Sequence, residues 1–351
     1  MTTDELRMRR KIQQLGSSTL AVTLPAEWAR AQGIQKGEKI TIQRDEITGS
    51  LLLVPDEPTT ADNSVTVDAT SLTPEALKRV ILAQYILGKN RIRVEHDEIL
   101  PTELLEIVER TETQVMGLGT IEQSTSHIDI RCSVAPSDFE LPELLERLWK
   151  TEAMIRSDIM TAFLNGDRSD ADRAHHYKPQ AEKLFSLFLR LLFTTYRNPQ
   201  LNQTMGLETG FPLIGYRSIA QDIMLIVDCS FQIAGLLDGD EQLDEETRSR
   251  FKSLVETVDT AVTKTRTAVL EPSIESSETA SEAIQQLRTE TSELQQYLET
   301  ERPSPILKLQ RVLSQLEDIG RHADDSIEVT MHISAREVSN EAVNRNEASE
   351  E

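Results

Sequence analysis

Four cations crowd into five positions near the start of the chain: Arg7, Arg9, Arg10 and Lys11. Cations clustered this tightly at one end of a protein suit the neutralisation of a polyanion, above all the phosphates of nucleic acid. A few positions later Ser17, Ser18 and Thr19 follow Gly16. Their hydroxyls can hydrogen-bond phosphate oxygens but add no charge. The other reactive residue types form no constellation. Cys132 and Cys229 are far apart and lack the paired spacing of a disulfide framework or a zinc site, so they read as two small buried apolar residues. His175 and His176 are adjacent, and neighbours on a helix point to different sides, so they cannot readily share one metal. His96 and His127 lie in polar surroundings and read as surface residues. There is no nucleophile–base pair, phosphate loop or metal triad, which argues against an enzyme. No catalytic residue, metal ligand or cofactor is expected.

Charge is distributed to the same effect. The chain has 351 residues and a formal net charge of -22. Residues 1–44 hold eight basic and four acidic residues, so this end is +4 and the remainder is -26. A basic end on an acidic body directs one end toward a polyanion while the rest avoids it. Only 11 of the 37 basic residues are lysine, a composition that fits a salt-adapted cytoplasm. No segment approaches the roughly 20 apolar residues of a membrane helix, and the opening residues lack the apolar core of a signal peptide, so a soluble cytosolic protein is expected.

The elements that must present the cations are short. Leu20, Val22 and Leu24 alternate with Ala21 and Thr23, the period of a half-buried strand. Pro25 stops that strand and suits the first turn of a helix, which Gly33 ends. Ile40 and Ile42 give a third strand, and Leu51 and Leu53 a fourth after the turn Thr48-Gly49-Ser50. Four short strands and one helical turn bury too little apolar surface to stand alone, so an obligate dimer through residues 1–56 is expected. The pieces Arg10-Lys11-Ile12, Leu15-Gly16, Val22-Thr23-Leu24-Pro25, Gly33-Ile34 and Gly37-Glu38-Lys39-Ile40 resemble the AbrB/SpoVT swapped-hairpin family. The resemblance implies a dimer that binds DNA or serves as an antitoxin, with Arg9, Arg10 and Lys11 on the first strand facing DNA. Ser17, Ser18 and Thr19 stand where many members carry a loop arginine.

Residues 57–138 read as a linker to about residue 64, then a small α/β layer in the order β-α-β-α-β-β. Its strands are expected around Val65–Val67, Ile92–Val94, Val115–Leu118 and Ile128–Cys132. From 139 to 334 the pattern changes to six amphipathic helices, at about 140–164, 169–196, 213–237, 242–270, 277–300 and 304–333. Residues 223–230 can be laid on 316–323 with an offset of 93, which suggests two three-helix repeats, about 139–240 and 241–334. Residues 335–351 read as a disordered, solvated acidic tail. The fold class expected is thus multidomain α+β: a dimeric swapped-hairpin β module, a small α/β middle segment and an all-α C-terminal domain of two three-helix bundles.

The helical part resembles PhoU, the phosphate-uptake regulator. The residues that carry the likeness are Asn165-Gly166-Asp167, Tyr216-Arg217-Ser218-Ile219-Ala220, Glu182-Lys183-Leu184-Phe185 with Arg190, and Leu316 to Ala323. The resemblance implies a dimeric negative regulator of phosphate transport, with DNA and the transporter ATPase or a signalling protein as partners. It also implies acidic metal positions, which here fall at Glu182, Asp228, Glu290, Glu293 and Glu317, with Lys178 at one ligand position. The alternative reading is an adaptor that binds the transporter ATPase and uses the N-terminal module only to dimerise.

Overall fold

The computed structural model describes residues 9–16, 18–31, 33–44, 51–55, 63–197, 211–237 and 242–350. Ser17, the turn Thr48-Gly49-Ser50 and most of the expected linker lie outside the described residues. The chain forms two compact units, Met1–Asn63 and Ser64–Glu351.

In the first unit, strands β1 (Gln13–Gln14) and β2 (Leu20–Ala21) pair antiparallel, as do β3 (Ile40–Arg44) and β4 (Leu51–Pro55). Helix α1 (Ala26–Ala31) lies between them. Gly33 ends α1 as expected, at φ +69, and the amide of Ile34 bonds back to the Ala29 carbonyl at 2.9 Å. The first ladder is shorter than the alternation predicts. Arg9, Arg10 and Lys11 precede β1 rather than lying on a strand, and Val22 to Leu24 leave the ladder. Among the described residues no third strand lies beside this two-residue hairpin, so it has little to extend it.

The second unit begins with a four-stranded sheet, β5 (Ser64–Asp68), β6 (Arg91–Glu95), β7 (Leu118–Gln123) and β8 (His127–Cys132), in spatial order β5-β6-β8-β7. β5 and β6 are parallel and joined by helix α2 (Pro74–Ile86); the other pairs are antiparallel. Helix α3 (Thr102–Gln114) packs beside α2, and Leu77, Ile81, Tyr85, Ile92, Val94, Leu104 and Ile130 share their core. Thr73 caps α2 by accepting from the Ala76 amide. β7 starts later than the expected Val115–Leu118, because Gly117 turns the chain at φ +73 and pairing begins at Leu118.

Among the described residues six helices follow: α4 (Leu141–Asn165), α5 (Arg168–Arg197), α6 (Phe211–Ala234), α7 (Glu245–Leu270), α8 (Ile274–Glu301) and α9 (Ile306–Glu350). α4, α5 and α6 pack on one another, and so do α7, α8 and α9. α6 also runs against α9, and α4 against α7, which joins the two trios over one apolar core. Gly166 ends α4 in the left-handed region at φ +69. α9 continues through residues 335–350, a stretch expected to be disordered. No proline follows Pro305 and no glycine follows Gly320, and alanine, glutamate and arginine favour helix.

The sheet layer and the helices form one compact unit, although the pattern of the sequence changes between them. The buried guanidinium of Arg190 on α5 donates to the Tyr85 carbonyl at 2.7 Å, the Lys89 carbonyl at 2.9 Å and Asn90 Oδ1 at 2.8 Å. Within the second trio, a Cβ at Gly320 would lie 2.6 Å from Leu287 Cδ2 across the α8–α9 contact. Gly320→Ala gains about 1 kcal/mol of helix propensity, against about 1–3 kcal/mol of overpacking. A net loss of about 1 kcal/mol is expected, read as a lower urea midpoint.

Candidate nucleic-acid interface

Of the expected contact set, Arg9, Arg10, Lys11, Ser18 and Thr19 are exposed. Arg9 to Lys11 lead directly into β1, and Ser18 and Thr19 sit in the β1–β2 turn, where Gly16 adopts φ +88 and the Leu15 amide bonds to the Thr19 carbonyl at 2.8 Å. The hairpin therefore brings the cations and the two hydroxyl residues onto one short element. Nothing in the second unit is needed to assemble them.

The unit has a second property that sequence reasoning anticipated only in outline. None of its described side chains in residues 9–55 is buried. Ile12, Leu15, Leu20, Val22, Ile42 and Leu51 are all exposed, Leu20 to 69%. With six large apolar side chains exposed, the described residues of this module form no core of their own.

Two paired hairpins around a single helical turn, rich in exposed apolar and basic residues, define a small β module of the kind that folds with a partner. A family model described as "Antidote-toxin recognition MazE, bacterial antitoxin" matches residues 13–60. The chain matches no curated protein and no solved structure. The match supports the swapped-hairpin reading of the N-terminal module and, with it, a DNA-binding regulatory role in general. No helix among the described residues is long and apolar enough to cross a membrane.

Elsewhere the structure sorts the remaining reactive residues. Cys132 and Cys229 are buried free thiols, and burial pushes the Cys229 thiol up to about 11. His175 stacks near the Phe231 ring, with centroids 5.0 Å apart. His127 is not a plain surface residue: its Nδ1 lies 2.6 Å from Ser124 Oγ. On the same side of the sheet, Asp129 is fully buried between Arg91 at 2.8 Å and Arg93 at 3.2 Å. The hydrogen bond from Arg91 holds the Asp129 carboxyl below the usual carboxylate range, outweighing burial.

The acidic positions that the PhoU resemblance implies do not assemble a metal centre. Lys178 Nζ stands 3.9 Å from Asp228 Oδ1 and 4.7 Å over the Phe231 ring, so an ammonium already answers that carboxylate. Glu290 accepts hydrogen bonds from Thr257 and Gln286, while Glu182, Glu293 and Glu317 are exposed.

A cleft of about 620 Å³ opens beside α4 and α5. Arg147, Lys150 and Lys183 line it, and no carboxylate does. Arg147 and Lys150 lean on Glu143 and Glu146 of their own helix, at 3.8 and 2.7 Å. In a chain with 59 acidic and 37 basic residues, a concave surface lined only by cations among its charged groups is a distinct electrostatic feature.

Proposed function

We propose that this chain is a dimeric, non-catalytic DNA-binding regulator of phosphate transport acting in the cytoplasm. Its PhoU-like helical body would respond to phosphate status. The observation that carries the proposal is the coreless basic module. Its exposed Ile12, Leu15, Leu20, Val22, Ile42 and Leu51 call for a second copy, and pairing two copies doubles the +4 charge of residues 1–44. The cationic cleft on α4 and α5 supports an anionic effector for the body.

The adaptor reading, in which the body binds the transporter ATPase, draws on Ser18 and Thr19 standing in the turn where a loop arginine would strengthen phosphate binding. A fluorescence-anisotropy titration of the full chain separates the two. The probe is DNA from upstream of phosphate-transport genes, at several salt concentrations. The regulator reading expects specific binding, weakened at least about tenfold by the Arg9/Arg10/Lys11 triple alanine variant. It also expects the slope of log affinity against log salt to flatten by about 0.9 for each phosphate that the variant no longer neutralises. Capture of the transporter ATPase with no DNA binding at any salt supports the adaptor instead.

A further inference from the structure

α6 and α9, the third helices of the two trios, run against each other and bring Asp222 opposite His322, Asp325 and Ser326. One carboxylate oxygen of Asp222, one of Asp325 and a ring nitrogen of His322 all lie within 4.8 Å of one another. His322 is only 7% exposed, and its Nδ1 has no hydrogen-bond partner although it lies 3.7 Å from Asp325 Oδ2. A buried nitrogen without a partner is costly unless something else meets its lone pair. The Asp222 carboxyl is half-buried and receives a hydrogen bond from Ser326 Oγ at 3.2 Å; burial and the neighbouring Asp325 push it up to about 6. The lone pair, the half-buried carboxylate and the second carboxylate beside it converge on one point between two helices, and a single cation would satisfy all three.

We propose that Asp222, His322 and Asp325 form a binding site for a divalent first-row transition ion that ties α6 to α9. One imidazole with two carboxylates suits zinc, manganese, iron(II) or cobalt(II) better than magnesium or calcium, which prefer all-oxygen sites. Bonds of about 2.1 Å require the three donor atoms to close to roughly 3–3.5 Å of one another. The exposed Asp325 side chain can supply that movement. His322 would offer Nδ1 with its proton on Nε2, displacing the long 3.4 Å contact from Arg321. Arg217 and Arg321 also act on Asp222 and limit the affinity. None of these three ligands is among the acidic positions implied by the PhoU resemblance. In the other such triad among the described residues, Glu122, His127 and Asp129, the Asp129 carboxylate is already held by Arg91 and Arg93. The site stands independently of the DNA-binding role.

The test uses chelator-treated full-length protein titrated with zinc, manganese, cobalt and magnesium chlorides, followed by calorimetry, thermal melting and cobalt absorption in the visible range. One transition ion per chain is expected, with ligand-field bands from cobalt. Asp222→Asn and His322→Gln should each weaken binding at least about tenfold. Asp222→Asn carries its own control for folding. A carboxyl raised from 3.8 to about 6 keeps its stabilising proton below the lower value and loses it as pH rises through the higher. The metal-free asparagine variant should therefore melt higher than the parent at pH 7.5 while failing to gain from the ion. Binding that survives His322→Gln, no saturable binding of any transition ion, or magnesium binding as tightly as zinc would overturn the assignment.

Discussion

Arg156→Leu is expected to destabilise the Ser64–Glu351 unit by about 3–5 kcal/mol, the usual cost of stranding one member of a buried ion pair. Arg156 lies on α4 with only 3% of its side chain exposed, and Glu152, one turn earlier, is more deeply buried. Arg156 donates from Nε to Glu152 Oε1 at 2.7 Å and from Nη1 to Asp259 Oδ1 on α7, also at 2.7 Å. One guanidinium thus holds a buried carboxylate and links the first trio of helices to the second. Glu152 Oε2 has no hydrogen-bond partner, and burial raises the Glu152 carboxyl above its ordinary range despite the pull of Arg156. Without Arg156 that carboxylate has nothing to offset its desolvation.

The pH dependence has a definite sign. In the leucine variant the penalty is full at high pH, where Glu152 is ionised, and shrinks as pH falls and the buried carboxyl takes up its proton. Urea unfolding at pH 8 and pH 5 should show the gap to the parent narrowing at pH 5. The double variant Glu152→Leu/Arg156→Leu should recover most of the loss, because replacing both ions with apolar side chains removes the desolvation together with the attraction. A single-variant cost below about 1 kcal/mol would mean that the pair is solvated and contributes as a surface pair does.

The second large effect concerns Arg190. Its three hydrogen bonds reach the last turn of α2 and the residues beyond it, and its guanidinium lies 5.0 Å from the Tyr85 ring centroid. α2 ends at Ile86 with no basic residue in its own last turn. The positive charge that favours the carbonyl end of a helix comes here from another element. Arg190→Ala removes three charge-assisted bonds and takes the guanidinium from the Lys89 carbonyl and Asn90 Oδ1, while the Tyr85 carbonyl keeps the Gly88 amide at 2.9 Å, an expected loss of about 3–5 kcal/mol. Arg190→Lys should recover only a minor part, because an ammonium cannot span three acceptors as a planar fork does. Hydrogen exchange locates the damage: α2 and β6 should lose protection first, while amides of α7 to α9 keep theirs. Uniform loss across the unit would show that Arg190 supports the bundle core rather than the contact between sheet and helices.

The sequence by itself determined the class of most segments, though not of residues 335–350, where α9 continues. Pro25, Gly33 and Gly166 mark helix limits that the structure reproduces, because these signals act through local backbone geometry, whereas the alternation of Leu20, Val22 and Leu24 overstates the length of β2. The six helical stripes and the 93-residue offset were legible for the same reason: a helix facing a core must repeat its apolar residues every three or four positions. The cations Arg9, Arg10 and Lys11 and the shortage of apolar surface in the first module were also legible, being matters of composition over a short span. What crosses between distant elements was not. Arg190 and Tyr85 are 105 positions apart, and Arg156 and Asp259 are 103 apart. Asp222 and Ser326, whose contact marks the proposed ion site, are 104 apart. Arg190 could be singled out in the sequence only as a feature of the PhoU resemblance, and Glu152 and Arg156 sit in a helical stripe where charge reads as a solvated face. Their roles depend on how two helices, or a helix and a sheet, come to rest against each other. Such packing is decided by the summed shape of many apolar side chains, and no local pattern in the chain encodes which two charges it will bury together.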